Sequence, residues 1–269
     1  GRSVISIPFN QEREMMQEMP IRQAISHALN RENILSTAIG GERFLAYDLV
    51  PENVPGAMSN EQAQEMALHN DPDRARQILE EAGWTNSGEG EVRTRDGEEL
   101  SVLFRAVDIG HYRETAVVAG PMLENVGFDV TIEVNEIGTY WDELEQGNYD
   151  IKVAEHWAVA NAIDILRNAL HTDQLTTPDG GVNYANVQSG ELDQMLDAAR
   201  TSADEEQRQQ LIRDIQERLH ENRWYHPLYG FTRALGYENE LTGTEEFFGH
   251  EQWGNQYYYD KLVFDLGES

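Results

Sequence analysis

The run from Met19 to Leu35, MPIRQAISHALNRENIL, followed closely by Gly40 and Gly41, constrains the fold more than any other part of the chain. Pro20 pre-sets the backbone for a first helical turn. Ile21, Ala24, Ile25, Ala28 and Leu29 then recur at helical spacing and form one apolar face. Asn30-Arg31-Glu32 interrupts this face, and a second short helix runs toward the glycine pair. A further unit, DPDRARQILEEAGW, begins at Asp71. There Asp71 caps a helix with Pro72 at its first position, Ala75, Ile78, Leu79 and Ala82 face the core, and Gly83 stops it.

Strands alternate with these helices. Val4 to Phe9 alternates as a strand. Asp96-Gly97, set between two short alternating runs, predicts a hairpin. A helix over 112–126 ends at Gly127, a strand follows over 128–134, a short helix over 139–146, and a strand over 148–154. This order predicts a mixed α/β sheet with parallel neighbours, flanked by helices. Farther on, Glu205 to Leu219 forms a long helix capped at Asp204, and Trp224 to Tyr229 reads as a strand. The acidic glycine loop over 86–91 either holds calcium or is a solvated turn; it lacks the full ligand ladder of a calcium loop.

Charge narrows the partners. The 269 residues carry 49 acidic and 20 basic side chains, a net charge of −29. Only Lys152 and Lys261 are lysines; the other 18 basic residues are arginines. A phosphate backbone would be repelled along nearly every face, which excludes nucleic acid as a partner, and polybasic attachment to anionic lipid is excluded on the same ground. Acidic excess with almost no lysine matches the composition of proteins from high-salt environments, where screening removes the self-repulsion. The absence of cysteine excludes disulfides, thiol catalysis and cysteine-ligated metals.

The segments at 19–41 and 71–84, together with Gly127-Phe-Asp-Val-Thr-Ile132, Tyr149-Asp-Ile151, Trp157, Asn183-Tyr184, Glu191 to Leu196 and Pro227-Leu-Tyr229, resemble, in the right order, the extracellular solute-binding proteins of peptide and nickel ABC importers. The resemblance implies a periplasmic-binding-protein-like α/β lobe. It implies that residues 1–223 are the second lobe of such a protein and that 224–269 form a return segment packing on a first lobe absent from this chain. It further implies non-catalytic capture of a peptide, nickel chelate or other small solute, with clamshell closure and delivery to ABC permease subunits. Localisation would then be extracellular, cell-surface or periplasmic, with an anchor lying N-terminal to this sequence. No cofactor and no bound metal are implied.

The ligand-binding candidates are Arg113 and Asn161, from the same resemblance, and Tyr112, Tyr140, Trp141 and Trp157, as aromatic side chains able to stack on a ligand. Arg113 is similar to an arginine that grips a ligand carboxylate, and the start of its helix favours an anion; its other reading is a surface arginine paired with the abundant acids. Trp141 and Trp157 either stack on a ligand or pack in the core or hinge, and Tyr112 and Tyr140 carry the same two readings. Peptide-binding relatives place an aspartate shortly after a tryptophan to hold the peptide amine. In this chain that position falls on Val159, Ala160 or Asn161, none of them charged. A buried ammonium without a carboxylate is costly, so the pattern points to a neutral or differently charged ligand. His111 and His156 fall near the expected cleft, as nickel-chelate partners or as ordinary polar histidines. The rival reading is a secreted glycan-acting hydrolase, which needs a pair of cleft carboxylates.

Overall fold

In a computed structural model of the chain, the described residues are 2–38, 43–86, 91–157, 161–177 and 180–232, with two further short backbone segments at 241–242 and 263–264. Strand β1 (Arg2–Pro8) leads into the one-turn helix α1 (Glu14–Gln17) and the helices α2 (Met19–Ala28) and α3 (Arg31–Ala38). The separation of α2 from α3 has a local cause. Leu29 turns extended, and the Asn30 side chain accepts a hydrogen bond from the Asn33 amide at 2.7 Å, starting a new helix. Strand β2 (Arg43–Leu45) and helices α4 (Asn60–Met66) and α5 (Pro72–Glu81) follow. Asp71 caps α5 by accepting from the Arg74 amide, as expected. Gly40 and Gly41, and most of the 86–91 loop, lie outside the described residues.

The expected hairpin is present: β3 (Thr94–Arg95) pairs with β4 (Glu98–Glu99), and Asp96 and Gly97 both adopt positive φ. Next come β5 (Ser101–Val107), α6 (His111–Glu124), β6 (Asp129–Asn135) and α7 (Ile137–Glu145). The single strand expected over 148–154 is two, β7 (Ile151–Lys152) and β8 (Ala154–Trp157). At Val153 the chain leaves one sheet for another: β7 pairs parallel with β5, whereas β8 pairs antiparallel with β1. Helices α8 (Ala162–Leu170), α9 (Gly190–Thr201) and α10 (Glu205–Asn222) precede strand β9 (Tyr225–Thr232). The short strands β10 (Leu241–Thr242) and β11 (Val263–Phe264) pair with each other.

Two sheets organise the body. One is parallel, in the order β6-β5-β7, and the other is antiparallel, in the order β2-β9-β1-β8. A bridge between Phe9 and Ile151 joins them. β9 starts two residues past the boundary expected at 223, and it is an inner strand of the antiparallel sheet. Ile5 and Ile7 of β1, and Phe9 just after it, enter the larger core with the apolar faces of α2, α5 and α6, while α8, α9 and α10 close a second core around Leu166, Leu192 and Ile215. Ser3 to Phe9 are all buried, so β1 has both faces covered.

Candidate functional site

The parallel sheet sets the position of the site. In open α/β sheets the strand-to-helix loops spread apart at the carboxyl ends of the strands and leave a crevice there. Here those ends are Val107, Asn135 and Lys152, and a cavity of about 420 Å³ lies beside Val107, Lys152 and Ile137, the first residue of α7. Its wall is completed by Tyr112 from α6, Tyr140 and Trp141 from α7, β8, Ile165 and Asn168 from α8, and Tyr184. This size falls within the range of about 300–1,000 Å³ common to small-ligand sites.

Aromatic rings make the floor. Tyr140 is buried, donates to the Val153 carbonyl at 3.3 Å, and meets Trp141 edge-on at 5.8 Å. The α7 sequence explains this pair: consecutive residues on a helix sit about 100° apart, so one ring enters the core and the next stands at the mouth. Tyr112 donates to a Glu155 carboxylate oxygen at 2.6 Å and stacks on His111. His156 is buried and shares a 2.9 Å hydrogen bond with the Ser6 hydroxyl. Burial, reinforced by the nearby Lys152, pushes the His156 imidazole down to about 3, so it is neutral at physiological pH. Burial likewise holds the Tyr140 phenol far above its ordinary range.

Lys152 is the feature that sequence reading did not single out as a site residue. Its side chain is 1% exposed, with the ammonium 3.4 Å from the Tyr184 ring centroid, 5.1 Å from that of Tyr140 and 5.7 Å from that of Trp141. Burial pulls its pKa well below the ordinary lysine value. A signal was present in the sequence: one of only two lysines in the chain sits between Ile151 and Val153 in an apolar strand. Tyr184 lies 32 residues farther on, and only the fold brings it over Lys152.

Of the six expected ligand contacts, the structure gathers Tyr112, Tyr140, Trp141 and Trp157 around this one cavity. Arg113 is apart from it, on the exposed side of α6, pairing with Asp108 at 3.3 Å. Asn161 is spent on local structure: its side-chain oxygen accepts from the Asp164 amide and caps α8. Val159 and Ala160 fall outside the described residues. Among the described residues no group of three metal-ligating side chains comes together, and Glu155 is the one carboxylate in the cavity wall.

The rim is apolar. Six large hydrophobic side chains stand exposed among the described residues, and four of them, Ile109, Ile137, Trp141 and Trp157, belong to this cavity. Trp157 is the most open, at 59%. Such clustering of exposed apolar side chains around one crevice is the pattern of an interaction or ligand-binding surface.

A mixed α/β lobe with an aromatic crevice at the ends of its parallel strands is the architecture of a periplasmic-type binding protein. The family model of bacterial extracellular solute-binding proteins, family 5 (middle), matches residues 1–175, and the chain belongs to that family. Among its curated relatives, the oligopeptide-binding protein AppA of Bacillus subtilis is 23% identical over 258 residues, covering 93% of this chain and 46% of AppA. Among solved structures, NikA of Brucella suis in complex with Fe(III)-EDTA is similar with a TM-score of 0.73 at 22% identity, over 87% of this chain and 48% of NikA. The periplasmic oligopeptide-binding protein of Thermotoga maritima bound to mannohexaose gives a TM-score of 0.75 at 18% identity, over 85% and 44%. The chain thus spans about half the length of the relatives it matches.

Proposed function

We propose that this chain is one jaw of a two-lobed solute receptor that captures a small molecule outside the cytoplasmic membrane and hands it to an ABC permease. The observation that carries the reading is the open aromatic cavity ringed by Ile109, Ile137, Trp141 and Trp157. These side chains cost hydrophobic free energy while exposed, and a second lobe closing over a ligand would cover them. The half-length match to relatives supports a further lobe. Because β9 is an inner strand of the antiparallel sheet, the boundary of the lobe is better placed after Thr232 than after residue 223. The return segment would then be 233–269.

The function is capture without turnover. A hydrolase needs two carboxylates flanking the scissile bond, about 5–10 Å apart, and the described cavity wall offers Glu155 alone. Aromatic floors of this kind accept peptides, sugars or metal chelates through stacking, so the ring set does not choose between them.

Thermal unfolding of the chain in high salt, with peptide, oligosaccharide and nickel-chelate panels, tests the reading. A ligand at 100 times its Kd adds about 2.7 kcal/mol, which raises the melting temperature by about 5–10 °C in a chain of this size. One panel is expected to protect and the others not. Trp157→Ala is expected to remove most of that protection while leaving the ligand-free melting temperature unchanged, because the side chain is mostly exposed. If no panel protects either this chain or the chain joined to its second lobe, solute capture is the wrong reading.

A further inference from the structure

We propose that Lys152 is the specificity-determining residue of this cavity and that the solute it selects carries a carboxylate. The inference rests on the capture reading and narrows it to a ligand class. Lys152 stands at the carboxyl end of β7, almost wholly buried, among the rings of Tyr140, Trp141 and Tyr184 that line the cavity. Among the described residues its ammonium makes no hydrogen bond and has no carboxylate within ion-pair distance, in a chain with 49 acidic side chains.

That combination is physically unusual. A buried ammonium loses its hydration, and a carboxylate within reach is the ordinary remedy. The four buried arginines among the described residues are all satisfied: Arg105 pairs with Glu133 and Glu143, Arg93 donates to the carbonyls of Val126 and Trp84 and pairs with Glu80, and Arg22 and Arg31 donate to backbone carbonyls. The faces of three aromatic rings restore part of the lost interaction at Lys152, because their negative quadrupoles attract a cation. They offer no hydrogen-bond acceptor in the plane of an ammonium N–H. A ligand carboxylate entering the cavity would supply those acceptors beside a largely buried ammonium, where the interaction is stronger than in bulk water. The only carboxylate in the described wall, Glu155, is engaged by the Tyr112 hydroxyl at 2.6 Å. His156, held neutral by burial, adds no competing positive charge.

The composition makes the test direct. With lysines labelled by 13C at Cε, the chain gives two signals, Lys152 and Lys261, the second serving as internal reference. Two matched pairs are titrated at constant ionic strength: acetyl-trialanine against its C-terminal amide, and succinate against succinamide. At least one acid is expected to move the Lys152 signal saturably while its amide partner and the Lys261 signal stay still. Lys152→Met, which keeps an unbranched apolar stem one atom shorter and removes the charge, is expected to weaken the tryptophan-fluorescence response to that acid at least tenfold without lowering the melting temperature. Equal responses to acid and amide, or a Lys152 signal unmoved by both acids, overturn the proposal. If the signal is unmoved while one of the solute panels still protects the chain from heat, capture stands and only the role of Lys152 falls. If nothing protects and nothing moves, both fall.

Discussion

Single residues in this protein carry packing that composition conceals. Gly127 has φ of +105°, and a methyl group there would approach Arg93 Cγ to 2.6 Å. The Arg93 guanidinium under that glycine binds the Val126 and Trp84 carbonyls at 2.9 and 2.8 Å. Gly127→Ala would strain the backbone and push Arg93 off its acceptors. A loss of about 2–4 kcal/mol is expected, read as a drop in the urea midpoint. The same arginines show where sequence reading stops. In so acidic a chain they look like surface partners for carboxylates, as Arg113 indeed is. Arg22, Arg31, Arg93 and Arg105 are instead buried. A hydropathy pattern has no means of marking a long side chain whose stem is apolar and whose head caps distant carbonyls. A second consequence concerns pH. His156 and His226 are buried and their pKa values are depressed, His156 to about 3. The unfolded chain takes up protons that these folded imidazoles refuse, so their contribution to stability is present above the unfolded value of about 6.5 and is lost as pH falls from there toward 3. The urea midpoint is therefore expected to decline between pH 7 and pH 4, and His156→Gln to flatten the decline. A slope unchanged by the substitution would assign the acid sensitivity elsewhere.

At the scale of elements, α2, α5, α6, α7 and α10 were legible in the sequence, whereas α4, α8 and α9 were not read as helices. Asp71-Pro72 starts α5 and Asp204 starts α10, each side chain accepting a backbone amide in the structure. Ser59 and Gln62 form a reciprocal capping box at the start of α4, a pattern equally present in the sequence. Removing such a cap should matter locally: Asp71→Ala is expected to cost about 1 kcal/mol in urea unfolding, and Asp71→Asn much less, since its amide oxygen can still accept. The strands were legible in existence but less so in partnership. Nothing in Asn148 to Trp157 announces that Val153 switches the chain between two sheets. Nor does Trp224 to Thr232 announce an inner position, because pairing with β1 depends on residues more than 200 positions away. The site divides along the same line. Tyr140 and Trp141 sit on one helix, and Trp157 is a conspicuous large side chain, so local reading reached them. The contact of Tyr184 with Lys152 is purely tertiary.

Across the whole molecule, the force that no single contact reveals is charge repulsion. A net charge of −29 on 269 residues sets like charges against each other across the surface. Exposed Glu65, Glu206 and Glu217 lie on helices whose opposite faces are core, so repulsion cannot be relieved by moving the side chains inward. Screening can relieve it: the Debye length falls from about 10 Å at 0.1 M salt to about 3 Å at 1 M. If repulsion of this kind limits the fold, the melting temperature should climb by about 5–10 °C between 0.1 and 1 M potassium chloride, the equivalent of about 2–3 kcal/mol. Potassium chloride is chosen because sulfate would strengthen apolar burial by itself and confuse the cause. The triple substitution Glu65→Lys, Glu206→Lys and Glu217→Lys removes six units of net charge without touching the core or the cavity. It should raise the melting temperature at 0.1 M and shrink the salt response in proportion. A melting temperature that ignores salt, or a triple variant that melts lower at 0.1 M while keeping the full salt response, would show that the acidic surface is not what limits stability.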